Sequence, residues 1–187
     1  YCYARNAHEY WGYSAGLDFE RKIIVKRNCA ELLEKEFNSK NYMPAPIMLS
    51  GNTDCYQPLE RKLKLTQSLL QVFLKYKHPV SIISKNNLIL RDLGLLKELA
   101  GMQLVNVAIT INSLDETLRQ KMEPRTVTAN GRLKVIKLLS DAGVPVMLMC
   151  APIIPGLNSE EMPKLIEQAA KNGAKAASFT LVRLNGA

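Results

Sequence analysis

A cysteine between two tyrosines, in the segment Tyr1-Cys2-Tyr3-Ala4-Arg5, is the first feature of this sequence that could do chemistry. A cysteine thiolate is a nucleophile and a metal ligand, and it is the usual ligand of iron–sulfur clusters. The other cysteines, Cys29, Cys55 and Cys150, form no Cys-x-x-Cys pair, so the spacing does not favour a structural zinc site. Scattered cysteines are also not typical of a disulfide framework, and a cytoplasmic location is expected.

Four polar clusters follow short apolar segments along the chain. Their hydroxyl, amide and ammonium groups can bind a polar ligand, although any one cluster alone is ordinary turn chemistry. Ligands of parallel α/β folds bind at the carboxyl ends of the strands, where such clusters would meet. The sequence therefore predicts one ligand site from four segments. The clusters are Ser50–Asp54, Ser84–Asn87, Thr110–Ser113 and Ile153–Asn158.

Alternation of strands and amphipathic helices is predicted for most of the chain. Between the apolar segments the apolar period lengthens to helical spacing, which indicates the α/β class with parallel strands wrapped by helices. A further short edge strand is predicted at Lys22–Lys26. The main predicted strands are Pro46–Ser50, Val80–Ser84, Leu104–Ile111, Val144–Cys150 and Ala176–Val182.

Helix boundaries are indicated by capping residues and glycines. Asn28 and Asn158 are each followed three residues later by glutamate, which is typical of an N-terminal capping pair. Glycine is favoured just after the last helical residue because it adopts a left-handed conformation without strain. Gly101, Gly143 and Gly173 stand where helices are expected to end.

One predicted strand, Leu104–Asn112, has a polar face. A strand in the middle of a parallel sheet normally buries apolar side chains on both faces. The pattern favours the inside of an incomplete barrel that holds a polar ligand, and an antiparallel strand with one face in water is the alternative. The side chains expected on the polar face are Asn106, Ala108, Thr110 and Asn112.

Composition indicates one ordinary globular domain. The chain has 187 residues, of which 47% are hydrophobic and 22% charged. Its longest apolar run, Val144 to Ile154, is too short to span a bilayer, so no membrane partner is expected. The net charge of +8 leaves a nucleic-acid partner open, with solvated helix faces as the alternative explanation. The absence of a Gly-rich phosphate loop disfavours an α/β barrel enzyme acting on a phosphorylated small molecule.

The opening pentapeptide resembles the end of the CxxxCxxC motif of radical S-adenosylmethionine (SAM) proteins, in the branch related to spore photoproduct lyase and often labelled DNA repair photolyases. Other segments resemble the same branch in order and spacing, over essentially the whole chain. They are Leu49–Asp54, Ile109–Ser113, Glu123–Thr126 and Ala151–Gly156. The resemblance implies a radical SAM core domain over residues 1–187, a partial (β/α)6 barrel truncated at its N-terminus. Residues 1–20 would be a remnant of the cluster loop, and the first strand would lie upstream.

The resemblance also implies the chemistry. Cys2 would be one of three thiolates that hold a [4Fe–4S] cluster, and the other two are not in this sequence. One electron, from a donor such as flavodoxin or ferredoxin, would cleave SAM reductively to methionine and a 5′-deoxyadenosyl radical. The substrate is unknown, with nucleic acid, DNA first, as the favoured class. The alternative from another class is a nucleic-acid-binding α/β module that has lost catalysis.

SAM-binding roles follow from the resemblance for all four polar clusters. Ser50 to Thr53 would lie near the methionine amino group, and Ser84 and Lys85 near the carboxylate or ribose. Thr110 and Asn112 would lie near the ribose hydroxyls, and the turn at Ile153–Gly156 near adenine. Tyr1 and Tyr3 would shield the iron–sulfur cluster. The residues expected to contact SAM are Ser50, Gly51, Asn52, Thr53, Ser84, Lys85, Thr110, Asn112, Ile153, Pro155 and Gly156.

A catalytic thiol is the last expectation. In spore photoproduct lyase a cysteine in the loop after the second strand returns a hydrogen atom to the product, and that position falls on Gly51 here. Cys55, four residues later, is the candidate for this role, and a packed thiol without a role is the alternative. Cys29 and Cys150 are expected to be structural.

Overall fold

The computed structural model describes residues 2–183, apart from the side chain of Tyr3. The expected shielding roles of Tyr1 and of the Tyr3 side chain therefore lie outside the described residues. Within this range the chain forms a sheet of five parallel strands that neighbour one another in the order of the sequence. The strands are β1 (Ile47–Leu49), β2 (Val80–Ser84), β3 (Val105–Thr110), β4 (Val146–Ile153) and β5 (Ala177–Leu181).

Helices precede β1 and connect each strand to the next. No helix in residues 2–183 is long and apolar enough to cross a membrane. The α-helices are α1 (Leu17–Arg21), α2 (Cys29–Phe37), α3 (Glu60–Leu63), α4 (Leu65–Lys75), α5 (Leu93–Gly101), α6 (Glu116–Met122), α7 (Ala129–Asp141) and α8 (Met162–Lys171). Three 3₁₀ helices cover Tyr3–Trp11, Asn87–Asp92 and Ser159–Glu161.

One face of the sheet packs against helices, and the other face is open. The side chains of Ile82, Val107 and Leu148 are fully buried on the helix-covered face. Complete burial of such a side chain contributes about 1.5–3 kcal/mol, so this face holds the fold together. On the opposite face Met48 and Asn106 are exposed. A parallel sheet with one covered and one open face is the wall of a partial barrel.

The predicted polar face of β3 lies on this side of the sheet, where Asn106 is exposed but Ala108 and Thr110 are buried. β3 is parallel to both β2 and β4, which excludes the alternative of an antiparallel strand with one wet face. The fold class is therefore the predicted one, an α/β partial barrel.

Several local predictions are wrong. Lys22–Lys26 forms no strand, because the segment is mostly exposed and has no ladder partner among the described residues. Asn28 and Asn158 precede helices, but neither side chain caps one. Asp115 and Thr128 do cap α6 and α7, accepting hydrogen bonds from backbone N–H groups of the first turn.

The glycine predictions are confirmed after α7 and α8. Gly143 and Gly173 lie just past those helices with φ of 79° and 98°. Gly101 instead is the last residue of α5.

Candidate functional site

The four polar clusters meet at one edge of the sheet. Because the strands are parallel and in register, with Ser84 beside Ile109 and Thr110 beside Met149, their carboxyl ends lie side by side. The first cluster directly follows β1, and the other three begin at the last residue of β2, β3 and β4. The prediction that these segments come together is therefore confirmed, whereas their individual contacts to a ligand stay predictions.

Asp54 ties the first cluster to the second. Its carboxylate accepts hydrogen bonds from the Ser84 hydroxyl at 3.0 Å, the Lys85 backbone N–H at 2.8 Å and the Tyr56 backbone N–H at 2.9 Å. Ser50 begins the same loop with a φ of 71°, a left-handed conformation that a serine adopts only where its surroundings hold it. Its hydroxyl oxygen accepts a hydrogen bond from the Cys55 N–H at 2.8 Å. The loop is fixed at both ends.

Glu123 joins the second cluster to the third. Its side chain, 3% exposed, forms ion pairs with the Lys85 ammonium and, at 2.8 Å, with the Arg132 guanidinium. Arg132 also donates to the backbone carbonyl of Thr110 at 2.8 Å, and the Asn112 amide approaches the Glu123 carboxylate at 3.4 Å. A buried charge is tolerated only when it is paired and hydrogen-bonded, and this carboxylate has both kinds of partner.

Asn158 joins the third cluster to the fourth. Its side chain is fully buried and donates to the backbone carbonyls of Asn112 at 2.7 Å and Pro152 at 3.0 Å. Its amide oxygen accepts from the Ile154 N–H at 2.7 Å. The predicted helix cap is in fact a bridge between two strand ends. An asparagine at this position indicated a side chain that bonds to the backbone, but the sequence did not indicate which backbone groups it would bond.

The predicted ligand contacts differ in accessibility. Residues 51–53 of the first loop, Pro155 and Gly156 are exposed, and Lys85 and Ile153 are half-buried. Ser84, Thr110 and Asn112 are buried, and the Ser84 hydroxyl is engaged with Asp54. The exposed or half-buried groups at this edge are therefore the Lys85 side chain, the loop of small polar residues at 51–53, and Ile153, Pro155 and Gly156 of the turn after β4.

Cys2 precedes the first 3₁₀ helix and is a free, half-buried thiol. The segment after it is held by a hydrogen bond between His8 Nε2 and the Lys22 carbonyl at 2.9 Å and by an Arg5–Glu20 ion pair at 2.5 Å. The Arg5 guanidinium lowers the pKa of the Glu20 carboxyl. No three His, Cys, Asp or Glu side chains of residues 2–183 are grouped to hold a metal ion.

Cys55 is half-buried and packs against the hydrophobic core. Burial raises the pKa of its thiol to about 12, so the sulfur stays protonated at neutral pH. The Thr66 hydroxyl donates to the Cys55 carbonyl at 2.7 Å, which fixes the backbone here. A protonated thiol can donate a hydrogen atom, but a packed thiol without a role would have the same surroundings.

Residues 1–169 match the model of the Radical SAM superfamily. The chain belongs to this superfamily. Curated relatives of this radical SAM chain include an uncharacterized protein of Mycobacterium tuberculosis, 32% identical over 188 residues, and one of Methanocaldococcus jannaschii, 29% identical over 157 residues. These alignments cover 100% and 84% of the chain but 55% and 56% of the relatives, so the chain spans about half their length.

Solved structures with the same fold are radical SAM enzymes. Spore photoproduct lyase with bound AdoMet and dinucleoside spore photoproduct has a TM-score of 0.64 and 18% identity, over 98% of this chain and 52% of that one. SuiB of Streptococcus suis has a TM-score of 0.60 and 15% identity, over 84% of this chain and 34% of that one. At such identities these likenesses establish the fold of this radical SAM domain.

The residues present fit SAM as a ligand. A zwitterionic amino acid group needs a cation for its carboxylate and oxygen acceptors for its ammonium. Lys85 supplies the first, and the polar loop at residues 50–53 supplies the second. For a [4Fe–4S] cluster, the described part of this radical SAM chain offers Cys2 as a thiolate outside the packed core.

Proposed function

We propose that this chain is the core of a radical SAM enzyme that reductively cleaves SAM to a 5′-deoxyadenosyl radical acting on nucleic acid. The superfamily match supports the chemistry, and the joined edge of the sheet supports a site for SAM. The observation that carries the proposal is the network in which Asp54, Glu123 and Asn158 join four strand ends around the half-buried Lys85, whose ammonium pairs with Glu123.

Each part of SAM finds a partner of suitable chemistry at this edge. Lys85 binds the carboxylate as a point charge, and the exposed loop of Gly51, Asn52 and Thr53 receives the ammonium group. The turn Ile153–Gly156 contacts adenine. The buried Ser84 positions these groups, since its hydroxyl already donates to Asp54. The side chains of Thr110 and Asn112 reach the ribose hydroxyls, while their backbone carbonyls accept hydrogen bonds from Arg132 and Asn158.

Two cysteines have separate roles in the proposal. Cys2 is one thiolate ligand of a [4Fe–4S] cluster, which supplies the electron for SAM cleavage when a reductant such as flavodoxin or ferredoxin delivers it. Cys55 donates a hydrogen atom from its protonated thiol to the product radical. The thiyl radical that this leaves on Cys55 takes one electron from the reductant and one proton, which restores the thiol.

Nucleic acid is the proposed substrate class. The net charge of +8 favours a polyanion, and one structural neighbour is a lyase complexed with a dinucleoside spore photoproduct. Another neighbour is bound to a precursor peptide, which makes a peptide the competing class. The proposal places DNA before peptide because of the charge.

Anaerobic reconstitution of the full-length protein with iron and sulfide tests the proposal. After SAM and dithionite are added, 5′-deoxyadenosine is measured by chromatography. The product should form with the wild type and with Cys29→Ala, and should be lost with Cys2→Ala. A protein that builds no cluster, makes no product and still binds DNA in a salt-sensitive way would refute the enzyme and favour a binding module.

A further inference from the structure

Exposed aromatic side chains stand beside a basic segment near the start of the chain. Tyr10, Trp11 and Tyr13 are 85%, 61% and 38% exposed. The segment Arg21–Arg27 has four cations and no acidic residue among seven positions. Neither feature takes part in the strand-end site. A contiguous exposed apolar patch with a polar rim marks an interaction site, and Trp11 and Tyr13 share one cavity with Ile23 and Ile24.

A groove connects the two features. Trp11, Tyr13, Lys22, Ile23 and Ile24 line an open cavity of about 430 Å³. The rings of Tyr10 and Trp11 lie edge to face with centroids 5.4 Å apart, and the Lys22 ammonium lies 4.6 Å from the centroid of the Tyr13 ring. The groove therefore combines flat aromatic surface, apolar wall and positive charge.

The charge of this region favours an anionic partner. Arg5 is paired with Glu20, and Lys22 has Asp18 at 3.2 Å, so these two cations are partly neutralised. Lys26 and Arg27 are exposed and continue the segment beyond the groove. Aromatic stacking beside backbone-tracking cations is how proteins bind single-stranded nucleic acid without sequence preference.

The position of the groove relates it to the proposed cluster ligand. One 3₁₀ helix, Tyr3–Trp11, starts immediately after Cys2 and ends at Trp11. At about 2 Å rise per residue, nine residues span about 18 Å. A single-stranded nucleic acid that stacks on Trp11 can therefore reach Cys2, since one single-strand site typically covers about 4–16 nucleotides.

We propose that Trp11, Tyr13 and Lys22 form a stacking platform for the unpaired bases of a single-stranded nucleic acid. The exposed Trp11 ring binds a base face, and the Tyr13 ring holds the Lys22 ammonium beside it. Lys22 and the exposed cations Lys26 and Arg27 bind the backbone. The platform describes how the substrate class of the proposed function is bound. Its link to the reaction rests on the proposed function, whereas binding itself does not.

Oligonucleotide binding by the full-length protein tests the platform. Binding of a fluorescein-labelled twelve-nucleotide oligo-dT is measured by fluorescence anisotropy. In a second assay the unlabelled oligonucleotide quenches tryptophan fluorescence, and the difference between wild type and Trp11→Phe gives the quenching of Trp11. Trp11→Ala should weaken binding about tenfold, within the range for loss of one stacked base. Lys26→Gln should lower the slope of log K against log salt by about 0.7, the value for one phosphate contact on a single strand. Lys22→Gln should lower it by less, because Asp18 already pairs with Lys22.

The matched control is Phe179→Ala. Phe179 on β5 is 64% exposed, a fraction similar to the 61% of Trp11. It should keep the wild-type affinity, and all variants should keep the wild-type circular dichroism. Equal affinity of wild type and Trp11→Ala would overturn the platform. So would equal binding of an abasic strand, which has phosphates without bases, or a preference of the groove for an uncharged apolar peptide.

These readouts separate the platform from the proposed reaction. A protein that makes no 5′-deoxyadenosine but shows the Trp11-dependent quenching keeps the platform and loses the radical chemistry. A protein that makes 5′-deoxyadenosine but binds oligo-dT without Trp11 keeps the chemistry and loses the platform.

Discussion

Removing the negative charge of Glu123 is the perturbation that most directly tests how the strand ends are held. Glu123→Gln preserves the size of the side chain but leaves Arg132, which is 1% exposed, without its ion-pair partner. The Lys85 ammonium loses the same carboxylate. The substitution therefore affects two neighbouring strand ends at once.

The expected cost follows from the burial of the pair. Removing one partner of a buried ion pair typically costs about 3–5 kcal/mol, because the other charge stays buried without compensation. Arg132 retains hydrogen bonds to the carbonyls of Val127 and Thr110, both at 2.8 Å, and glutamine retains one acceptor. The expected loss in the free energy of unfolding is therefore at the lower end, about 3 kcal/mol.

Urea unfolding followed by circular dichroism measures this loss. With a slope of about 2 kcal/mol per M, the midpoint should fall by about 1.5 M. Glu167→Gln is the matched control, since it breaks the exposed Glu167–Lys171 pair by the same substitution and should leave the midpoint unchanged. A double-mutant cycle of Glu123→Gln with Lys85→Met should show coupling of about 1 kcal/mol.

A Glu123→Gln midpoint equal to that of the Glu167→Gln control would refute the reasoning. It would mean that Arg132 and Lys85 find other acceptors at no cost, and that Glu123 does not hold the strand ends. A large loss of stability without coupling to Lys85 would restrict the role of Glu123 to Arg132.

Three further perturbations have defined outcomes. Asn158→Ala should lower the free energy of unfolding by about 3 kcal/mol, because it leaves buried backbone groups, including the Asn112 carbonyl, without partners. Cys55 should resist iodoacetamide in the folded protein at pH 8, since burial raises its pKa from 9.0 to about 12. The neutral thiol favours the folded state below pH 9, and this contribution should fall as the pH rises towards 12. Gly173→Ala should cost about 2 kcal/mol, because the new Cβ would lie 2.6 Å from the Ser140 Cβ at a left-handed φ.

Each of these outcomes has a direct check. Urea unfolding measures the first and third, and a cost below about 1 kcal/mol for Asn158→Ala would show that water replaces its bonds. Mass spectrometry of alkylated peptides measures the second, with urea-unfolded protein as the control in which Cys55 reacts readily. Fast alkylation of Cys55 in the folded protein would contradict its burial. Gly173→Ala with wild-type stability would show that Ser140 and α8 shift freely.

The strands and the shared edge of the sheet could be predicted because each depends on local patterns. Short apolar segments such as Val80–Ser84, and the polar clusters that follow them, are visible in the sequence. Parallel strands bring such clusters together at one edge of the sheet. The prediction of a strand at Lys22–Lys26 was wrong because an apolar centre between cations has the same pattern in a strand and in an exposed extended segment. Only a neighbouring strand distinguishes the two.

The buried network could not be predicted because its partners are far apart in sequence. Glu123 belongs to a segment that carried a family resemblance, but nothing near it indicates pairing with Lys85, 38 positions away. Arg132 has the helical spacing of an ordinary surface cation on α7, yet it is 1% exposed. Long-range pairing of polar groups depends on tertiary packing, which periodicity does not encode.

The strand order of the sheet has a consequence for how the protein assembles. Since each strand pairs with the one before it in the sequence, no strand has to enter between two that are already joined. Successive strands start about 25–40 residues apart, so every pairing closes a loop of moderate length. The sheet can therefore grow by one strand and its helix at a time as the chain leaves the ribosome. The strand-end site is complete only once Asn158 has been synthesised, after β4.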